Sequence, residues 1–307
     1  MNHKKKNAQT LVFAGLMGLA GGALATENGA PTTAFGVYDF GAGMMPPTTP
    51  NGTVGLRTNW YKATVQKDRR GDDVPNDFSL SVLSLGLAYI RMTDYNLFGA
   101  RYGFSTVVPF FKMDAEVGID TPAGRLELAA DPFRLADIQV TPLILEWKLA
   151  PNLFVNTQFQ IQAPTGDYDR NRLVSPGLNH WTFSPMVNAT WISETGFEVS
   201  SSFQVDFNTR NDATDYKNGT EYRHEFAVGQ HFGPWTAGIG GYYYRQFSDD
   251  DAPNLTTGNR ARVLAVGPAL GFVQPGLPAV WLHAYKEFEA RNRAEGYAVA
   301  LRVGVSF

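Results

Sequence analysis

The last sixteen residues of the chain, 292–307, constrain the fold most. They read NRAEGYAVALRVGVSF, and apolar side chains alternate there with small or polar ones. The apolar face consists of Tyr297, Val299, Leu301, Val303, Val305 and Phe307. A period of two residues is typical of a β-strand rather than a helix. Because a tilted strand of about ten residues crosses a bilayer, this stretch is long enough to span a membrane.

The same alternation recurs along the chain, and it is very clear in residues 197–208. It predicts strands at 53–66, 78–92, 97–113, 136–148, 152–163, 180–193, 196–208, 221–232, 235–247, 260–273, 278–289 and 294–307. Tight links alternate with longer polar ones between them. This pattern indicates an all-β fold, a transmembrane antiparallel up-and-down β-barrel of about 12 strands. Short periplasmic turns and longer extracellular loops are expected, with both termini in the periplasm.

The first residues have the pattern of a secretory signal. Lys4, Lys5 and Lys6 precede a short apolar run at 11–20, and Ala23-Leu24-Ala25 offers a small-x-small cleavage site. We expect a signal peptide at 1–25, an N-terminal segment at 26–52 and the barrel at 53–307. The full chain has a formal net charge of −3 and no cysteine. Loss of three leader lysines lowers that charge to −6, which argues against nucleic-acid binding.

Residues 26–52 are rich in Gly, Pro and Thr, so irregular backbone is expected. The segment is either a loose periplasmic tail or a plug folded into the lumen. Phe35, Tyr38, Phe40, Met44 and Met45 make it more apolar than a solvated tail requires, which favours a plug with Phe40, Met44 and Met45 as its predicted residues. Proline within four predicted strands, at 109, 142, 185 and 268, predicts local breaks or bulges, and these would bend the wall or open it toward lipid.

Four stretches carry a family resemblance. They are Pro164-Thr165-Gly166-Asp167-Tyr168-Asp169, Asn179-His180-Trp181-Thr182-Phe183-Ser184-Pro185, Asp215-Tyr216-Lys217-Asn218-Gly219-Thr220-Glu221 and Gly240-Gly241-Tyr242-Tyr243-Tyr244-Arg245-Gln246. Between about residues 164 and 251 the chain resembles an outer-membrane family involved in the meta-pathway of phenol degradation. The resemblance implies an uptake channel for aromatic compounds, so a small hydrophobic or aromatic solute is the expected partner.

Charged side chains facing lipid near the bilayer midplane would cost about 2–4 kcal/mol each, so polar faces should line the lumen. The predicted pore-lining residues are Arg57, Gln158, Gln160, Gln204, Asp206, Arg223, Glu225, Tyr242, Tyr244, Trp281, His283, Tyr285, Glu287 and Arg302. In one interpretation, their charges form a salt-bridge network that fills a small barrel. In the other, the charges set selectivity and the rings form a slide for aromatic solutes.

Other functions leave weaker signals. Some outer-membrane barrels act on lipids, and His180 with Ser184 could be proposed as a base and nucleophile, but the chain has no hydrolase motif. We therefore expect no enzyme activity, no catalytic residue, no metal and no cofactor. Acidic outer loops such as 249–251 fit solvated loops or divalent bridges to lipopolysaccharide better than a calcium site. Expected partners also include outer-membrane lipid and, through Phe307, the barrel assembly machinery.

Overall fold

A computed structural model describes Glu27 and residues 34–121, 124–253, 255 and 258–307. The predicted signal peptide lies outside these residues. The strands are β1 (Thr53–Lys67), β2 (Asp77–Leu97), β3 (Ala100–Thr121), β4 (Gly124–Ala130), β5 (Phe133–Leu135), β6 (Gln139–Ala150), β7 (Leu153–Gln162), β8 (Thr182–Ile192), β9 (Phe197–Asn208), β10 (Arg210–Asn211), β11 (Tyr216–Lys217), β12 (Glu221–Phe232), β13 (Trp235–Gln246), β14 (Arg262–Phe272), β15 (Ala279–Arg291) and β16 (Arg293–Ser306). Among the described residues, no helix has the length and apolar character needed to cross a membrane.

Within the described chain, twelve strands form one closed antiparallel barrel, which confirms the predicted fold class. Each barrel strand pairs with its neighbours in sequence, and β1 closes the ring by pairing with β16. In that closing register, Arg57 lies opposite Arg302. Strands β4 and β5 pair with the C-terminal half of β3. Strands β10 and β11 form a small separate hairpin. Closure leaves no unpaired edge in the hydrocarbon, as lipid requires.

Strand β9 shows why the barrel forms. Phe203 and Phe207 lie on the outer face and are exposed, whereas Ser200, Gln204 and Asp206 are buried on the inner face. The same division holds along β16, where Leu301 is outside and Ala300 inside. Apolar side chains thus meet lipid and polar ones meet the enclosed interior, so the two-residue period of the sequence becomes the two sides of the wall.

Two connections differ from the predicted ones. Residues 93–96 were expected to form the turn after β2, but β2 runs on to Leu97 and turns at Phe98-Gly99. Both turn residues have positive φ (54° and 75°), as a tight two-residue hairpin demands. At the opposite end of the barrel, a single residue, Asn292, links β15 to β16, where a longer loop was expected. Its φ of 51° supplies that reversal.

Proline interrupts the hydrogen-bonded ladders in the wall. Around Pro185 of β8 and Pro268 of β14 the pairing with the following strand is missing for two residues and then resumes in the same register. Around Pro142 of β6 the register with β7 shifts. A proline nitrogen cannot donate to the ladder, which explains these local breaks.

Candidate luminal site

The segment before β1 lies inside the barrel. It starts at the periplasmic rim, where the amide of Asn51 donates to the carbonyl of Phe307 at 3.0 Å. Further in, the Met45 amide donates to Glu146 of β6 at 2.7 Å and the Gly43 amide donates to Thr190 of β8 at 2.8 Å. These contacts reach different parts of the wall, so the segment crosses the lumen rather than lining one side of it.

Glu225 of β12 holds the middle of the segment. Its carboxylate accepts three consecutive amide N–H groups, from Gly36 at 3.0 Å, Val37 at 2.8 Å and Tyr38 at 2.6 Å. Three adjacent amides can converge on one carboxylate because Gly36 adopts a φ of 64°. A β-carbon there would lie 2.8 Å from Nε2 of His283, so this position also demands glycine on steric grounds.

Asp39 forms the second attachment of the segment. Arg302 of β16 donates to its carboxylate at 2.6 Å, and Nδ1 of His283 lies 3.2 Å from it. The segment's carbonyls are held too, because Arg302 donates to Val37 at 2.9 Å and Arg57 of β1 to Phe35 at 2.7 Å. Asp39 is almost fully buried, so the loss of its partners would leave an uncompensated charge in the interior.

Aromatic rings form a ladder on the inner face of β13 and β15. The rings of His283 and Tyr285 stack with centroids 4.1 Å apart, and Tyr285 meets Tyr242 edge-on at 6.2 Å. Below them, the Arg302 guanidinium lies 4.2 Å from the ring centroid of Trp281. The ring centroid of Tyr242 also lies 4.8 Å from that of Phe35 in the segment. The ladder therefore includes one ring from the segment itself.

Buried carboxylates fix the upper rings. Glu287 of β15 accepts the hydroxyls of Tyr242 at 2.7 Å and Tyr61 at 2.8 Å, and it pairs with Arg293 at 2.8 Å. Tyr244 donates to Glu221 at 2.9 Å. Carboxylates thus satisfy the hydroxyls of Tyr242 and Tyr244, while the rings of both residues pack against the Phe35 ring.

The other predicted pore-lining residues lie on the same inner face. Arg223 pairs with Asp206 at 3.0 Å, and Gln204 donates to Asp206 at 2.6 Å. Gln158 lies 3.3 Å from the Tyr38 hydroxyl, which donates to it. Gln160 is half-buried two residues along the same strand and is paired in register with Ser184.

The three residues predicted for a plug have different environments. Phe40 is buried against Ala227 and Ala269 of the wall. Met45 is held by its amide and also brings its Sδ to 3.8 Å from the Gln158 side-chain amide. Met44 is largely exposed. Only one of the three side chains is therefore fully packed, and main-chain hydrogen bonds attach much of the segment.

Several residues of the segment, or of the wall around it, were absent from the predicted pore-lining and plug residues. They are Phe35, Tyr38 and Asp39 of the segment and Tyr61, Glu146, Glu198 and Arg293 of the wall. Glu198 accepts the Gly41 amide at 2.7 Å and contacts His231 at 2.7 Å. The alternation of β1 and β9 could have placed Tyr61 and Glu198 on the inner face. For Phe35 and Asp39 the sequence carried no such periodic signal.

The histidines and acidic loops considered for catalysis or metal binding have protein partners. Ser184 donates to Asp206 at 2.6 Å, whereas His180 contacts Thr182 and Asn218. In the outer loops, Asp249 pairs with Arg260, Asp251 with Arg210 and Asp167 with Arg172. Asp250 accepts from Tyr216 and from the Gly219 amide. Internal hydrogen bonds and ion pairs thus order these loops.

A polar cluster lies among the outer loops. Asp137 accepts the amides of Gly166 and Leu178, both at 2.8 Å, and Glu27 contacts Asn211 and the Tyr168 hydroxyl. Burial raises the pKa of the Asp137 carboxyl above its ordinary value, despite these amide donors. Burial lowers the pKa of His180 below its ordinary value of 6.5, against the pull of the Trp181 carbonyl and nearby carboxylates.

The lowered pKa of His180 predicts a pH effect. His180 binds a proton more readily in the unfolded loop than in the folded one. The stability that neutral His180 contributes is therefore fully present above about pH 6.5, and it is lost as pH falls from there through the folded pKa. The loss is at most about 1.4 kcal/mol per pH unit. After correction for the intrinsic exchange rate, the protection of amides in residues 163–181 should therefore fall from pH 7.5 to 5.5. His180→Asn should remove that fall in protection and His224→Asn, outside on β12, should keep it; an unchanged pH profile in His180→Asn would refute the assignment.

The fold and the division of its faces define an outer-membrane β-barrel. The chain belongs to the family described as "Putative MetA-pathway of phenol degradation", whose model matches residues 63–303. The fold is similar to that of the COG4313 outer membrane channel from Pseudomonas putida F1, with a TM-score of 0.71 and 16% identity over 90% of this chain and 100% of that one.

Two further solved structures align with lower scores. The CymD monoaromatic hydrocarbon channel has a TM-score of 0.46 and 12% identity, covering 93% of this chain and 98% of that one. The β domain of the Bordetella autotransporter BrkA has a TM-score of 0.46 and 12% identity, covering 84% and 100%. No curated protein matches the chain.

Proposed function

We propose that this barrel is a channel for the passive uptake of small hydrophobic or aromatic compounds, such as phenol-type substrates. The inward ladder of rings on β13 and β15 carries the proposal. A lumen that needed only to be filled could use polar side chains, whereas ring faces bind flat apolar solutes by offset or edge-on stacking. Family membership agrees, because the family's description refers to phenol degradation.

Uptake by whole cells tests the proposal. A strain that lacks the barrel should take up labelled phenol more slowly at limiting concentration than a strain that carries it. Tyr285→Leu removes a luminal ring at similar volume, and it should slow uptake by about two- to tenfold, because one aromatic contact contributes about 0.5–1.5 kcal/mol. The matched control is Tyr243→Leu on the outer face of β13, which should leave uptake unchanged. Equal uptake with and without the barrel would end the proposal.

A second candidate is a structural barrel with no open path. The hydrogen bonds that hold residues 34–45 across the lumen favour it. Planar-bilayer conductance separates the two functions when the protein is compared with a version that lacks residues 26–52. A channel should conduct more once the segment is removed, whereas a structural barrel packed by its own side chains should remain closed.

We also propose that residues 1–25 direct export and that Phe307 is recognised by the barrel assembly machinery. Outer-membrane lipid and lipopolysaccharide would then surround the wall and the outer loops. We expect no enzyme activity, since Ser184 is bonded to Asp206 and His224 stacks on Phe203 at the outer face. Lipid-release assays on the wild type, His180→Ala and His224→Ala should detect no hydrolysis. Lipid release by the wild type that either substitution abolishes would contradict this expectation.

A further inference from the structure

We propose that the pocket around the ring of Phe35 is a binding site for aromatic solutes, and that Phe35 occupies it as an internal substitute for the solute. The proposal rests on the proposed function, since it assigns the solute a place in the lumen. A solute that enters this pocket would displace Phe35 and loosen the segment that crosses the barrel.

Four side chains of the wall surround the Phe35 ring. Its centroid lies 4.8 Å from that of Tyr242 and 5.0 Å from that of Tyr244, with tilted planes. The guanidinium carbons of Arg223 and Arg293 lie 4.9 and 5.1 Å from the same centroid. Two rings and two cations around one phenyl group form an environment that favours an aromatic occupant over a saturated one, because cations are attracted to ring faces.

The walls of this pocket are anchored without the help of the Phe35 side chain. Tyr242 and Tyr244 donate their hydroxyls to Glu287 and Glu221, at 2.7 and 2.9 Å. Arg223 pairs with Asp206 and Arg293 with Glu287. All four wall residues are almost fully buried. The pocket should therefore keep its shape when the ring leaves, which reduces the ordering cost of binding a solute.

Phe35 is placed to leave the pocket. Phe35 is only half-buried, whereas the four wall residues are almost fully buried. It also lies directly before the three residues whose amides donate to Glu225. The bend at Gly36, with its φ of 64°, turns the chain directly after the ring. Arg57 and Arg223 donate to the carbonyls of Phe35 and Ala34, at 2.7 and 2.5 Å, so a solute that moves these residues must break those hydrogen bonds. Asp39 and the residues after it can keep their attachment to the wall.

Binding of phenol and cyclohexanol to the full chain in lipid nanodiscs tests the site. Phe35→Ala leaves a ring-sized cavity, and a cavity of this kind can bind a benzene-sized solute. We expect Phe35→Ala to bind phenol at least about tenfold more tightly than the wild type, and about tenfold more tightly than it binds cyclohexanol. Phe40→Ala is the matched control, because it empties a ring position that lies against two alanines and a single ring, that of Trp281. Equal phenol binding by the two variants, or equal binding of both solutes by Phe35→Ala, would overturn the proposal.

A measurement on the wild type covers the case in which Phe35→Ala does not fold. Saturating phenol should accelerate amide hydrogen exchange at residues 34–36, and cyclohexanol at the same concentration should not. No acceleration by phenol would show that the solute does not displace Phe35.

The site and the proposed function can fail separately. If Phe35→Ala binds phenol selectively but cells with and without the barrel take up phenol equally, the channel function is wrong and the site remains. If the barrel accelerates uptake but Phe35→Ala binds phenol no better than the wild type does, the channel function remains and the site is wrong.

Discussion

Glu287→Ala is expected to lower the free energy of unfolding by about 3–5 kcal/mol, because it leaves the buried charge of Arg293 without its partner. The same carboxylate accepts the hydroxyls of Tyr61 and Tyr242 and the amide of Gly296 at 2.8 Å, so three further donors lose their acceptor. Equilibrium unfolding of the barrel in urea and lipid measures the loss.

Glu289→Ala is the matched control for that variant. Glu289 belongs to the same strand and pairs with Arg262 at 3.0 Å, but its side chain is 69% exposed. An exposed ion pair contributes about 0–1 kcal/mol, so this change should be nearly neutral. The double variant Glu287→Gln with Arg293→Met should recover part of the loss, because it also removes the stranded charge. A loss below about 1 kcal/mol in Glu287→Ala would contradict the central place given to this carboxylate.

Glu225→Ala should release the luminal segment and raise the open probability of the proposed channel in planar bilayers. A hydrogen bond to a charged group contributes about 1.5–3 kcal/mol, and Glu225 accepts three of them from the segment. A net loss of only about 3 kcal/mol already shifts the population of the released segment by roughly 100-fold. Hydrogen exchange at residues 36–38 should accelerate in parallel.

Glu146→Gln is the control for the release experiment. Glu146 accepts one segment amide, from Met45, and also pairs with Arg101 of the neighbouring strand. Its replacement by an amide keeps an acceptor in place, so the opening should be much smaller than in Glu225→Ala. If Glu225→Ala conducts no better than the wild type, the carboxylate does not hold the lumen closed.

The sequence permitted a close prediction of the wall. Alternation assigns a residue to one of two faces, and burial in lipid gives those faces opposite chemistry, so strands such as β9 and β16 could be placed within a few residues. The turn at Phe98-Gly99 was missed because residues 93–96 are polar and resemble a turn, whereas an aromatic residue with positive φ is uncommon. The composition of residues 93–96 thus indicated the wrong place for the turn, which is set by the positive φ angles of Phe98 and Gly99.

The contacts inside the lumen could not be predicted in the same way. A two-residue period shows that Glu225 and His283 face inward, but it does not show what they meet. Their partners, Gly36 and Asp39, lie 189 and 244 residues away in sequence, on a segment with no periodic pattern. Pairing over such separations depends on the height of each side chain in the closed barrel, which only the complete register of the strands determines.

The direct continuation of the luminal segment into β1 restricts how it can move. Thr53 is fixed at the rim by pairing with both Ser306 and Ile90, so the segment is tethered at that end. A segment released from the wall would therefore stay attached at this rim, and it could return to the lumen without leaving the protein.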